Sequence, residues 1–410
     1  MQRILFVEDN DMLRQFYGMM MPKNTGQWET ALAANGEAAL AVLAQSPFDV
    51  LITDFHMPGI NGAELVRRCR TLYPQMSRII ISGIGNQKDV ADALGETHQF
   101  LAKPFDVRTL QATLIRIHSL DKYLSDEKLR ALVGRIKSLP SFPAVYLEVM
   151  KLINAPAATI SDIAEAVAQD PSLTVKMFQV VNSAANGQHD PVHSAFEAVQ
   201  RVGMNTVRSI ALSAHVFEKY EKPPLKNFST SRLWEHLMAT AMLAKKIMEL
   251  EGGSDADIED AYTAGMLHDL GKLMLADSVP QEFQQAVQLS LSAGIPLHEA
   301  EQQVLAANHA GVAAYLLGLW GLSAPIVEAV ALHHTPEKTD LLEPSPLTAV
   351  HAANALLTQE PADGLKKLNL DYLEKIGMAE RVEDWRHLAA QLVAKLNPPM
   401  AQKKDALVAA

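Results

Sequence analysis

Carboxylates, a hydroxyl and an amine stand where short apolar runs of this chain end. Glu8-Asp9 follow ILFV, Asp54 follows VLIT, Ser82 follows RIII and Lys103 follows QFLA. If a fold brings these run ends to one rim, three carboxylates converge and repel each other unless a hard divalent cation sits among them. Oxygen ligands with retained waters suit Mg2+. The chemistry of such a rim is metal-assisted phosphoryl transfer, in which Asp54 attacks a phosphoryl group while Mg2+, Lys103 and the Ser82 hydroxyl neutralise its equatorial oxygens. None of these residues carries the reading alone, because an isolated aspartate at a run end more often caps a turn and an isolated lysine more often sits in solvent.

A second set of chemically capable residues lies in the C-terminal part. It comprises His236, the His268-Asp269 pair of AGMLHDLGK, His309 and the His333-His334 pair. Imidazoles and one carboxylate drawn from four helices can build a metal site in a bundle core.

The elements that must position the first set are legible as strands. Arg3–Val7, Trp28–Ala33, Val50–Thr53, Arg78–Ser82 and Gln99–Ala102 are short apolar, β-branched runs, with Trp28–Ala33 the weakest. Between them lie helix-period stretches near Met12–Met20, Glu37–Ala44, Ala63–Cys69, Lys88–Ala93 and Val107–Ile117. This alternation predicts an α/β doubly wound, five-stranded parallel sheet with helices on both faces, whose ligand crevice lies at the carboxyl ends of the strands. From about residue 121 the strand pattern disappears and the chain reads at helical spacing, punctuated by prolines such as Pro171, Pro191, Pro280 and Pro325. That predicts an all-α region. The expected organisation is a first domain over 1–120, a connecting helix over 121–138 (its core Asp121–Lys137), a helical domain over 139–355, and C-terminal helices and a tail over 356–410.

The chain has 410 residues, 48% of them apolar and 20% charged, a globular composition with more than one folding unit. Cys69 is the only cysteine, so no intramolecular disulfide forms, and it reads as a core thiol in a reducing, cytoplasmic setting. The N-terminus lacks the pattern of a secretory signal, and no window offers a membrane span. Residues 1–120 carry 11 basic and 12 acidic side chains; the remainder carries 25 and 35, a net charge of −10. So acidic a second half argues against a dedicated DNA-binding module.

The five motifs of the first 120 residues, Glu8-Asp9, Asp54 before FHMPGINGAEL, Ser82-Gly83, Phe100 and Lys103-Pro104-Phe105, closely resemble the receiver domain of two-component response regulators. The resemblance implies that Asp54 is the phosphoacceptor, and that Glu8, Asp9, Asp54 and the backbone carbonyl of His56 hold Mg2+. It also implies that Ser82 and Phe100 are switch residues, that the Lys103-Pro104 peptide is cis, and that a sensor histidine kinase or phosphotransfer protein is the donor. Relatives often dimerise through their last helices, so a homodimer through the connecting helix is compatible.

The stretch from Leu139 through Asn182-Ser183, with Asp170-Pro171 and Gly203, resembles the HDOD signalling domains, over roughly residues 131–355. Asp170 is expected to cap a helix opened by Pro171. The histidine set looks like that of the HD superfamily of metal-dependent phosphohydrolases, of which HDOD domains are a divergent branch. The implied metal set is His236, His268, Asp269, His309, His333 and His334, with Lys272 as a phosphate contact. The chain departs from the catalytic pattern: Asn354 stands where a closing aspartate is expected, and Thr335-Pro336-Glu337 follows the paired histidines in place of a Gly-Tyr-Pro signature. Isolated histidines such as His98, His118, His189 and His298 read as surface or capping residues.

Three readings follow. The first is a phosphorelay regulator whose non-catalytic helical output contacts an unknown downstream protein. The second is a regulated phosphohydrolase acting on a cyclic dinucleotide or other nucleotide, with a divalent transition metal as cofactor. Direct DNA binding is the third, disfavoured by the charge.

Overall fold

The computed structural model describes residues 2–20, 28–83, 96–103, 107–120, 123, 127–134, 149, 152, 158–184, 192–202, 207, 225, 228–357 and 367–396. The chain forms two compact units, one of Met1–Lys219 with Leu316–Leu322, the other of Tyr220–Tyr315 with Ser323–Ala410.

In the first unit, β1 (Gln2–Val7), β2 (Trp28–Ala33), β3 (Val50–Asp54), β4 (Ser77–Gly83) and β5 (Gln99–Lys103) form one parallel sheet in the order β2-β1-β3-β4-β5. All five residues of β3 are buried, which is why its sequence is a continuous run and not an alternating one. Leu5, Val7 and Leu51 pack on one face with α2 (Gly36–Leu43) and α3 (Gly62–Leu72), around Ala39, Leu43, Leu65, Val66 and Cys69. Phe6 points the other way, as alternation along a strand requires, and stacks on Tyr17 of α1 (Asp11–Met20) with ring centroids 5.7 Å apart. Burial pushes the Cys69 thiol up to about 12, so it is inert core. The strand order reverses between β1 and β3, and Glu8, Asp9 and Asp54 lie at the carboxyl ends of those two strands.

The sheet is followed by α4 (Val107–Ser119). Of the expected connecting helix, the described part is α5 (Glu127–Val133); the expected helix Lys88–Ala93, Pro104, His189 and Gly203 lie outside the described residues. The first unit continues with α6 (Ile160–Ala168), α7 (Pro171–Ala184) and α8 (Ala195–Val202). Thr159 and Asp162 form a reciprocal capping box on α6, and the Asp170 carboxylate accepts from the Leu173 N–H at 3.0 Å where Pro171 opens α7. Asn182 and Ser183 fall within the last turn of α7.

The second unit is helical: α9 (Thr230–Leu250), α10 (Asp255–Leu267), α11 (Leu270–Ser278), α12 (Pro280–Ala293), α13 (Leu297–Leu305), α14 (His309–Leu319) up to Tyr315, α15 (Ala324–Leu332), α16 (Pro346–Leu356), α17 (Leu370–Lys375) and α18 (Val382–Leu396). Proline opens α12 and α16, at the position where its missing N–H costs nothing. Gly271 is required by packing, since a Cβ there would lie 1.9 Å from the His309 carbonyl oxygen. That close approach sets α11 against the start of α14 and brings the HDLGK residues to His309. Among the described residues, no helix is long and apolar enough to cross a membrane.

Candidate functional site

At the strand ends of the first unit, Glu8 and Asp54 are buried and Asp9 is exposed; one oxygen from each lies within 4.8 Å of the others. Lys103 Nζ donates to Glu8 Oε2 at 2.9 Å and pairs with Asp54 Oδ2 at 3.0 Å. Burial raises the Glu8 carboxyl above its usual range, more than Lys103 lowers it. Burial alone would lower Lys103, but its bonds to Glu8 and Asp54 reverse this and raise it. Three carboxylates face one ammonium, so negative charge is left over at the rim, and hard oxygen donors in excess of their cation fit Mg2+.

The backbone around this rim is tightly specified. Phe55 N donates to the Ile81 carbonyl at 2.8 Å and Gly62 N to the Phe55 carbonyl at 2.9 Å, closing the loop that contains His56. Asn61 caps α3 through the Glu64 N–H at 2.9 Å. A Cβ on Gly62 would stand 2.1 Å from the Asp54 carbonyl oxygen, so only glycine lets α3 begin this close to Asp54. Asp54 pairs in register with Ile81, placing Ser82 one residue beyond, and Ile80 pairs with Phe100. The side chains of Ser82 and Phe100 lie outside the described residues.

The helical unit gathers His236, His268, Asp269, His309, His333 and His334. They form two donor groups sharing Asp269: one with His309, His333 and His334, the other with His236 and His268, each with its atoms within 4.8 Å of one another. Ring orientation is fixed from outside. His268 Nδ1 and His333 Nδ1 each lie 2.8 Å from the carbonyl three residues earlier, Gly265 and Val330, so Nδ1 carries the proton and Nε2 the lone pair. Those Nε2 atoms stand 3.3 and 3.7 Å from the Asp269 carboxylate and have no hydrogen-bond partner among the described residues. Two lone pairs facing a carboxylate repel unless a cation lies between, and carbonyl-oriented imidazoles are the arrangement metal ligands take. The residues therefore fit a divalent transition metal.

The cluster also contains internal partners. Lys272 Nζ donates to Asp269 Oδ2 at 2.7 Å; His309 Nε2 lies 3.0 Å from Asp269 Oδ1 and 3.0 Å from His334 Nε2. Burial would raise Asp269, but Lys272 and the surrounding imidazoles hold it well below the usual carboxylate range. Burial drives His236 and His333 down to about 3 and His334 well below its ordinary value. His309 is the exception: burial would lower it, but Glu301 and Asp269 raise it to about 9. Asn354 Oδ1 lies 3.0 Å from His236 Nε2, so the amide at the aspartate position is hydrogen-bonded to a ring nitrogen.

Four site residues have no signal in the sequence. Glu301, fully buried, binds both the backbone N–H and Nδ1 of His309, at 2.9 and 2.6 Å, across a loop that no helical spacing anticipates. His351 Nδ1 donates to the His333 carbonyl at 2.7 Å and its Nε2 accepts from Asn369 N at 3.0 Å. His298, expected as a surface or capping residue, lies in the first turn of α13 and stacks on His334 with centroids 4.1 Å apart and planes 10° from parallel. Lys367 lines the adjoining cavity. A second correction concerns His98, which is buried in the first unit, its Nδ1 accepting from Arg78 N at 3.1 Å. His118 is exposed, as expected.

The response regulator receiver domain family matches residues 4–115 and the HDOD domain family residues 139–336. The response regulator protein FleR of Pseudomonas aeruginosa is 31% identical over 127 residues, 31% of this chain and 26% of that protein. An uncharacterised protein of Treponema pallidum is 26% identical over 204 residues, 50% of this chain and 39% of that protein. The chain thus spans well under half the length of these relatives. The MmoQ response regulator of Methylococcus capsulatus is similar in structure, with 24% identity and a TM-score of 0.48, over 62% of this chain and 98% of that one. The chain combines a flavodoxin-like receiver domain with a helical HDOD domain. It is a response regulator of two-component signalling.

Proposed function

We propose that Asp54 accepts a phosphoryl group from a sensor histidine kinase or phosphotransfer protein, and that the phosphorylated receiver controls a non-catalytic HDOD output acting on another protein in the cytoplasm. The observation that carries this is the pairing of Lys103 with both Glu8 and Asp54 at 2.9 and 3.0 Å, with Asp9 beside them. Mg2+ held by Glu8, Asp9, Asp54 and the His56 carbonyl would supply the charge that phosphoryl transfer needs, and Lys103 and Ser82 would bind the transferred oxygens. Contacts that exist only with phosphate present, worth a few kcal/mol, shift a bistable element and need no large rearrangement at the site. Incubation with acetyl phosphate and Mg2+, followed by mapping of the adduct by mass spectrometry, tests the reading. Modification at Asp54 is expected; a folded chain unmodified there overturns it.

The unpartnered His268 and His333 nitrogens favour a second statement, that the helical cluster holds a divalent metal in a structural role. Asn354 supplies no charge and occupies His236, which weakens the site as a hydrolase. Elemental analysis of purified protein is the test: bound metal without nucleotide turnover is the expected result, and turnover abolished by Asp269→Ala would restore the hydrolase reading.

A further inference from the structure

The ladder of β1 ends at Val7, which pairs in register with Ala33 and with Thr53. The carbonyls of Glu8 and Asp9 lie beyond it, so their hydrogen bonds must come from outside the sheet. Arg14 of α1 supplies them. Its Nη1 donates to the Glu8 carbonyl at 2.8 Å and to the Asp9 carbonyl at 3.4 Å, while its Nη2 pairs with Asp11. Those two carbonyls belong to the peptide planes on either side of Asp9, and a planar peptide held by its oxygen has little freedom to turn. Arg14 thus fixes the backbone from which the Asp9 carboxylate leaves. Its ion pair is with Asp11, which is exposed and is not one of the three clustered carboxylates.

A cation this close to a Mg2+ site has two opposed effects: its charge repels the metal, and its hydrogen bonds hold the ligands in place. Asp11 already offsets the charge, and a screened surface interaction changes affinity by roughly 5-fold at most. Loss of an outer partner that orients a ligand costs about 10- to 100-fold. We propose that Arg14 is a positioning residue for Mg2+ at the receiver rim, acting through the backbone on both sides of Asp9. The inference rests on the reading of the rim as a Mg2+ site.

Calorimetric titration of Mg2+ into the full chain, without a phosphodonor, reads the two effects with opposite signs. Wild type should bind Mg2+, Asp9→Asn should lose most of that heat, and Arg14→Met should bind ~10-fold more weakly. Acetyl phosphate labelling of Asp54 in Arg14→Met should need ~10-fold more Mg2+ to reach half its maximal rate, with the maximal rate falling by less. Binding by Arg14→Met as tight as wild type, or tighter as a charge acting alone requires, overturns the inference and leaves the rim's reading intact. Wild type that binds no Mg2+ overturns both. Should urea unfolding show Arg14→Met to be unfolded, Arg14→Lys carries the same test, because it keeps the charge and loses the planar fork. A folded Arg14→Lys with wild-type affinity overturns the inference.

Discussion

The receiver rim and the histidine cluster both bury carboxylates, and they neutralise them differently. At the rim one flexible ammonium, Lys103, spans two carboxylates directly, leaving Asp9 open to solvent and to an incoming ligand. In the cluster Asp269 is enclosed, one oxygen on Lys272 and the other facing His309, while two imidazole lone pairs also face it. An open, cation-poor rim suits a reaction that must admit a donor and release a product. The enclosed, donor-rich cluster suits something held permanently. The lesson is that similar residue types acquire different roles from access and from which atoms remain unpartnered.

The largest expected effect breaks the comparison at the rim. Asp54→Asn should abolish adduct formation with acetyl phosphate, and Lys103→Met should slow it on the order of 100-fold, the usual cost of losing one stabilising group. His268→Ala should leave it unchanged, since it belongs to the other unit. Mass-spectrometric time courses on the three variants check this; equal slowing by His268→Ala would mean that the two sites are not separable.

The next effect breaks it in the cluster. Asp269→Ala leaves the buried Lys272 ammonium without its partner and should cost about 3–5 kcal/mol in denaturant unfolding. In wild-type protein stripped with chelator, Zn2+ or Mn2+ at ~100 times its dissociation constant should restore about 2.7 kcal/mol. Unchanged stability on adding either metal would show the cluster to be a metal-free polar core.

How much of this was legible follows from range. Asp54 and Lys103 end their strands and Glu8 directly follows one, and a parallel sheet necessarily brings strand ends to one edge, so short-range pattern was enough to bring them together. The HD pair and the paired histidines were legible as motifs. Glu301 and His351 were not, because each acts across a loop on a residue of another element, and nothing in local spacing encodes a tertiary hydrogen bond. His98 and His298 misled for the opposite reason: an isolated histidine carries no periodicity, and tertiary packing alone buries the first and stacks the second on another ring.

Two glycines sharpen the comparison at smaller amplitude. Gly62→Ala forces a methyl within 2.1 Å of the Asp54 carbonyl and Gly271→Ala within 1.9 Å of the His309 carbonyl, each backbone against backbone. Each should cost about 1–3 kcal/mol as overpacking. Their functional signatures should diverge: the first lowers phosphorylation and spares metal content, the second does the reverse. Measuring both properties on both variants is the check, and loss of both properties in either would mean that the effect is global unfolding.

The smallest effect uses His98 as the control for the cluster. It too is a buried histidine, but Arg78 N donates to its Nδ1 and the Arg78 guanidinium lies 2.9 Å from its Nε2, so neither ring nitrogen faces a carboxylate. Burial, helped by the Arg78 charge, holds its pKa well below 6.5. The unfolded chain then binds the extra proton first as pH falls. Its contribution is fully present above about pH 6.5 and is lost progressively below it, with a slope of at most about 1.4 kcal/mol per pH unit. Urea unfolding of wild type and His98→Gln between pH 5 and 8, followed by a probe in the receiver, should give curves whose difference shrinks as pH falls, at about one proton's worth of slope. Parallel curves would mean that the ring is not held neutral, and that burying a histidine in this chain does not by itself suppress its charge.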